Sequence, residues 1–503
     1  LLTFGRKVTE TEKYSNMKHI FVLILGFLFF LPNCSQPGAN ELASVGGKII
    51  DRDQFHTSFA LDPVYRIGDS QAEALRKQLR ANLNEKYFAL GAEERQMDTI
   101  RIIRDRIAML KTDKLAETYN KIHTLDPLTF SEKALKEAFV KNRKIVHLRH
   151  LFSPDSATAA GALDKLKQGT ASFDALAGVM FRNERLKQSG GSLGQCYFGE
   201  LEPAIEEVAF QLKAGEIHDQ VVKSSFGYHV LKAEEITIRY IPSESNYGLY
   251  KNEAERVLRK RKYQKLRAAM VRDLTADKNI NIAIPAFEQM HAYFSQLPRF
   301  NQAGDSLRMD APKDDMQQLY SQLQANATER LVSFGDKQWT IEDFLYQIYL
   351  TPPFERPQLA TRQDLYNAIR FAALDDIIAD KALSEGLDTH PHFERLFSDA
   401  RDKLLAREYR YQLGSDIRIS DSSHAAWFAQ KFNKEADPGS AIFKSTKQQN
   451  LEKRQAALIA AELRRLEKAY PAEINYEKLY TLQPDTAAKI NYHPSPVLRK
   501  KLW

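Results

Sequence analysis

The stretch "SSFGYHVLKAEE", residues 224–235, reads as a short strand leaving a tight turn. Tyr228, Val230 and Lys232 alternate with His229, Leu231 and Ala233, the period of two that a pleated strand imposes, and Gly227 breaks the chain just ahead. A histidine set between bulky apolar residues on such a strand is expected to be buried. Whether it serves the core or does chemistry depends on what the flanking sequence folds around it.

Working outward, the strand closes a run of about ninety residues, 144–236, that differs from the helical sequence on either side. In order it contains "KIVHLRHLF" (144–152), "ATAAGALDKLKQG" (157–169), "SFDALAGVM" (172–180), "SGGSLGQCYFGEL" (189–201) and "PAIEEVAFQLKAGEI" (203–217). These predict strand, helix, helix, glycine-rich turn, strand, helix and two final strands, a compact α+β unit.

The landmarks "RHLF", "GGSLG", "FGEL", "AFQLKAGEI" and "FGYHV" in this order resemble the parvulin (PpiC-type) peptidyl-prolyl isomerase domain over nearly the whole segment. The resemblance implies a small antiparallel sheet with surrounding helices. It also implies two histidines, one on the first strand and one on the last, side by side beneath the substrate proline. By motif these are His150 and His229. The implied floor for the proline ring is Leu193, Leu201 and Ile205, with Cys196 and Phe226 beside it, and the polar position near the rotating amide falls on Asn183 or Glu184. Cys196 and Ile205 stand where parvulins usually carry aromatics, and Phe181 where a serine is common. His147, three residues before His150, is expected to face away from it on a regular strand.

The flanks carry an internal repeat. "LASVGGKIIDRDQF" (42–55) and "LVSFGDKQWTIEDF" (331–344) share Leu, Ser, Gly, Lys and Phe at an offset of 289. The same offset carries Pro63 onto Pro352, Ser131 onto Ser420 and Phe139 onto Phe428. Each copy predicts a glycine-turn hairpin followed by amphipathic helices, with stripes such as Ile100, Ile103, Ile107 and Leu110, or Leu365, Ile369, Leu374 and Ile378. The expected organisation is an extension and signal peptide (1–33), an N-terminal helical module (34–143) and the parvulin-type domain (144–236). After these come a segment completing the first module (237–295), a linker (296–326) and a second helical copy without the insert (327–503). A helical module split by a parvulin domain looks like the SurA-like and PrsA-like extracytoplasmic chaperones.

Near the start, Met17-Lys18-His19 precedes twelve apolar residues, Ile20 to Leu31, too few for a spanning helix and suited to a secretory signal. "LPNCSQPG" follows and resembles a bacterial lipoprotein cleavage site, with Cys34 as the lipidated residue and Asn33 in place of the usual small residue. The alternative for the only two cysteines is a Cys34–Cys196 disulfide. The formal charge is +7, of which the first 33 residues carry two, and no Lys/Arg run with interleaved aromatics points to nucleic acid. His147, His150, His218 and His229 lack a carboxylate or thiol at zinc spacing, and no P-loop, dinucleotide fingerprint or G-x-S-x-G elbow is present, so neither metal nor cofactor is expected.

Two functions stay open at this point. One is an exported, periplasmic prolyl isomerase and chaperone, lipid-anchored through Cys34, acting on unfolded or partly folded exported polypeptides with X-Pro bonds. The other is a catalytically inactive parvulin-fold lipoprotein, a holdase or a scaffold subunit of outer-membrane assembly or secretion machinery.

Overall fold

A computed structural model describes residues 40–483 except 67, 296–325, 353–355, 358, 360 and 416. The signal peptide, Cys34 and nearly all of the expected linker lie outside the described residues.

The first copy opens with a hairpin, β1 (Glu41–Val45) and β2 (Lys48–Asp51), turned by Gly46 and Gly47, both at positive φ as a two-residue hairpin turn requires. Asp51 caps α1 (Arg52–Leu61) by accepting the Gln54 N–H. Ser70 and Glu73 form a reciprocal capping box on α2 (Gln71–Glu94). Then come α3 (Arg101–Asn120) and α4 (Glu132–Asn142), the latter capped by Ser131.

The inserted segment follows: β3 (Lys144–Ser153), α5 (Ser156–Lys167), α6 (Phe173–Met180), α7 (Glu184–Gln188), β4 (Ser192–Tyr197), α8 (Pro203–Ala209), β5 (Val222–Lys223) and β6 (Tyr228–Ile238). The strands form one antiparallel sheet in the order β4-β3-β6-β5. This is the α+β pattern expected, with one short extra helix, α7. Val146, Leu148, Cys196, Leu231 and Ala233 form an apolar cluster with Ile205 of α8 and Ala254 of the next helix. A second cluster joins Leu151 and Val230 to Phe173, Ala177 and Phe181.

The chain leaves the insert through α9 (Glu244–Thr275), β7 (Asn281–Ile282) and α10 (Ile284–Phe294). The second copy contains β8 (Arg330–Phe334), β9 (Lys337–Thr340), α11 (Ile341–Leu350), α12 (Arg362–Ser384), α13 (Pro391–Ser415), α14 (Asp421–Phe432), α15 (Ala441–Ala469), β10 (Glu473–Ile474) and α16 (Tyr476–Tyr480). At the offset of 289, β1, β2 and α1 fall residue for residue on β8, β9 and α11.

The copies do not fold one after the other. β10, from the end of the second copy, pairs with β1, and β7, from the end of the first, pairs with β8. One core combines Leu75, Leu79, Leu83 and Phe88 of α2 with Leu405, Ala406, Tyr409 and Leu413 of α13. Another combines Leu115 and Tyr119 of α3 with Phe371, Leu374 and Ile378 of α12. Since α2 corresponds to α12 and α3 to α13, these are the same exchange made twice. The expected boundaries between modules therefore pass through shared cores.

The joint also buries charge. Lys86 Nζ lies 3.0 Å from Asp402 Oδ2, both side chains almost fully buried, and Lys48 Nζ reaches Asp402 Oδ1 at 2.7 Å. Among the described residues no helix is long and apolar enough to cross a membrane.

Candidate active site

The pairing of β3 with β6 assembles the site. His150 pairs with Leu231, and Phe152 with His229. Directly paired residues on antiparallel strands share a face, and alternate residues repeat it, so all four stand on one face of the sheet. His150 and His229 are thus diagonal neighbours. Their Nδ1 atoms are 3.2 Å apart, with ring planes 17° from parallel. His229 is only 4% exposed, as its apolar neighbours in sequence led one to expect.

His229 has a second partner: its Nε2 lies 2.7 Å from Ser224 Oγ. Ser224 stands at the turn between β5 and β6. Its hydroxyl oxygen accepts the Phe226 N–H at 3.1 Å, and its own N–H donates to the Gly227 carbonyl at 2.8 Å. Phe181 lies 5.2 Å from the His150 ring, and Phe152 5.2 Å from that of His229. Gly191 of the "GGSLG" turn, at φ +77°, accepts the His150 N–H at 2.9 Å. A Cβ on Gly191 would strike the His150 carbonyl oxygen, so glycine is required there by both conformation and space.

Burial lowers the pKa of both imidazoles. His150 is pushed down to about 4 by desolvation and then by the neighbouring His229. His229 is lowered by desolvation, partly opposed by the negative charge of Glu202. Both are neutral at neutral pH. One Nδ1 therefore carries the proton shared between the rings and the other accepts it. The His150 Nε2 is buried and has no hydrogen-bond partner among the described residues.

The other expected site residues are spread more widely. Cys196 and Ile205 are buried in the apolar cluster on the histidine face, with Leu201 packed against it. Leu193 is 37% exposed and Phe226 73% exposed. Burial pushes the Cys196 thiol up to about 11, as expected of a packing residue. Asn183 caps α7, its side chain accepting the Leu186 N–H, and Glu184 pairs with Lys187 at 2.7 Å. The described contacts tie neither to the histidines. His147 is half exposed beside Glu235, away from the pair. Ser224 and Phe152 are neighbours of the imidazoles absent from the expected site, and Phe181, expected only as a departure from the parvulin pattern, is another. The serine lies within the diagnostic stretch, but only the hairpin register Val222–His229 brings it to the ring.

The arrangement ties the Ser224 hydroxyl to the turn, through the Phe226 N–H, as well as to His229. It suits a reaction that makes no covalent bond: rotation about a peptide bond, whose barrier of ~18–20 kcal/mol is the loss of amide resonance. An apolar floor with fixed neutral donors and acceptors favours the twisted, less conjugated amide and costs little reorganisation when it forms.

Comparison with known proteins bears on the same segment. Residues 155–235 match the family described as "Rotamase: PPIC-type PPIASE domain". The foldase protein PrsA of Caldanaerobacter subterraneus subsp. tengcongensis is 33% identical over 26% of this chain and 41% of its own length. PrsA of Geobacillus sp. is 28% identical over 38% of this chain and 65% of its own. The chain thus spans less than two thirds of these relatives' lengths. A crystal structure of the peptidylprolyl isomerase PrsA from Bacillus anthracis aligns at 26% identity over 31% of this chain and 68% of that one, with a TM-score of 0.25. At that score the architecture around the insert rests on the chain's own contacts. Residues 155–235, which include His229, are thus similar to a PpiC-type peptidyl-prolyl isomerase domain, and His150 stands just ahead of them on β3, the strand paired with β6.

Proposed function

We propose that the protein is an exported prolyl isomerase and chaperone: the inserted domain isomerises X-Pro bonds while the interlocked helical frame holds unfolded clients. The observation that carries the reading is the pair of neutral imidazoles, Nδ1 to Nδ1 at 3.2 Å, with His229 buried inside the segment that matches the PpiC-type family and His150 partly buried on the strand paired with it. The frame adds exposed apolar side chains able to grip unfolded chains, among them Ile241, Leu249, Ile284, Tyr411 and Ile442. Coupling the two activities suits the clients. Uncatalysed X-Pro isomerisation takes tens to hundreds of seconds, during which unpaired strands are exposed to aggregation.

The reading includes export and a lipid on Cys34, supported by the apolar run and "LPNCSQPG". Asn183 and Glu184 are the proposed polar side of the client groove, and Leu193, Leu201, Ile205, Cys196 and Phe226 its apolar side.

The decisive experiment is isomerisation of an unstructured X-Pro peptide by the full chain and by a His150→Ala/His229→Ala variant. Catalysis by the wild type and its loss in the variant are expected; equal rates would remove the enzyme. Suppression of aggregation of an unfolded outer-membrane protein is expected to survive both substitutions. Incorporation of a labelled lipid precursor is expected in the wild type and not in Cys34→Ala.

A further inference from the structure

The loop 198–202 joins β4 to α8. It carries Leu201, and its last residue, Glu202, is close enough for its charge to act on His229. It is held from beneath by Glu206 of α8, 2% exposed, whose Oε2 accepts the Gly199 N–H at 2.6 Å. Burial raises the pKa of Glu206, and the Gly199 N–H and the cation of Arg261 oppose this only in part.

Arg261 does not belong to the isomerase segment. It projects from α9, the 32-residue helix that leaves the insert and returns to the frame. Its Nη2 pairs with Glu206 Oε1 at 2.7 Å and donates to the Leu201 carbonyl at 3.4 Å, and its guanidinium lies 5.3 Å over the Phe198 ring. One turn earlier, Val257 occupies the space that a Cβ on Gly199 would need. Some two turns later the same helix enters the core shared by the two copies through Met270, Val271 and Leu274. A helix of this length spans about 48 Å without a hinge, so it links that core to the loop as one rigid piece.

We propose that Arg261 and Glu206 are positioning residues for isomerisation, through which the helical frame sets the proline-binding floor from behind. The proposal rests on the isomerase reading of the site. Without Arg261, Glu206 keeps a buried charge with no cationic partner, which the loop relieves by opening to water or by taking up a proton. Either response loosens the Gly199 bond and lets Leu201 and Glu202 drift, weakening the grip on the ring and shifting the charge beside His229 while the two imidazoles stay paired.

The test uses the full chain with Arg261→Gln, Glu206→Gln and the double variant, in steady-state assays on an X-Pro peptide, with the His229 imidazole followed by NMR. KM is expected to rise about fivefold or more in each single variant with kcat within about twofold. Arg261→Lys should recover a good part of the loss, and the double variant should be no worse than the poorer single one. The His229 resonance should move in Arg261→Gln. Val257→Ala, which keeps the ion pair, should raise KM less and serves if the charge variants do not fold. An active wild type with unchanged KM and an unmoved His229 resonance in Arg261→Gln would overturn the proposal. An inactive wild type would instead defeat the isomerase reading; an unmoved resonance would then still count against the positioning role.

Discussion

Ser224 Oγ lies 2.7 Å from His229 Nε2, and through that imidazole it is linked to His150, 79 positions away from His229 in sequence. The hydroxyl thus fixes the ring that the other histidine leans on. Ser224→Ala would leave the buried Nε2 without its partner, worth roughly 1–1.5 kcal/mol for a neutral hydrogen bond. The expected outcome is a five- to tenfold fall in kcat/KM on an X-Pro peptide, with Ser224→Thr close to wild type. A Ser224→Ala rate equal to wild type would show that the hydroxyl serves only the turn.

Titration supplies a second prediction. Free imidazole takes a proton near pH 6.5, whereas His150 resists until about 4 and His229 is also lowered, in both cases chiefly by burial. Between those limits the unfolded chain binds more protons than the folded one, so the contribution of these residues is fully present above about pH 6.5. It is lost as pH falls toward 4, to an extent of at most about 3 kcal/mol for His150. His392 is pushed down to about 4 by the same cause and acts in the same direction. The measurement is therefore a comparison of urea midpoints at pH 7.5 and 4.5 in wild type and His150→Gln. The wild type should lose more stability on acidification than the variant.

How much of this was legible beforehand differs from residue to residue. His150 and His229 lie in runs whose strand period is local, and their pairing followed from the parvulin resemblance. Ser224 sits five residues from His229, but only the hairpin register makes it a neighbour, and register is a tertiary property. Asn183 carried a readable signal, an asparagine three residues before Leu186 at a helix start, which competes with a role toward substrate. The interlock of the copies had no local signature. It is closed by two-residue strands, Asn281–Ile282 and Glu473–Ile474, whose pairing with β8 and β1 is set by the cores that surround them.

The glycine turn gives a third prediction. Gly191 sits at φ +77° with its backbone bonded to the His150 N–H, and a Cβ there meets the His150 carbonyl. Gly191→Ala is both strained and obstructed, so β3 must shift at the residue that carries the imidazole. A stability loss on the order of 2 kcal/mol should accompany a fall in kcat larger than that of Gly194→Ala. Gly194 also has a positive φ but has nothing within 4 Å of its Cβ position. Equal effects of the two substitutions on kcat would mean that only backbone strain matters.

The last prediction concerns the joint between the copies. Lys86 and Asp402 are nine-tenths or more buried, one from each copy, and Asp402 also receives Lys48. Taking two charges out of water costs several kcal/mol, which their attraction and added hydrogen bonds must offset. Removing Asp402 leaves Lys86 buried with its longer contact to Asp399 at 3.3 Å. Asp402→Ala should therefore destabilise the chain by up to about 3–5 kcal/mol in urea unfolding, the cost of a broken buried pair. Replacing the pair together, as Lys86→Met with Asp402→Leu, should recover much of that loss because the charges disappear with their desolvation cost, although Lys48 then retains only Glu93 at 3.0 Å. If the double variant is as unstable as Asp402→Ala, the pair contributes more than charge balance. The exchange of strands and helices would then depend on that polar contact as well as on the shared apolar cores.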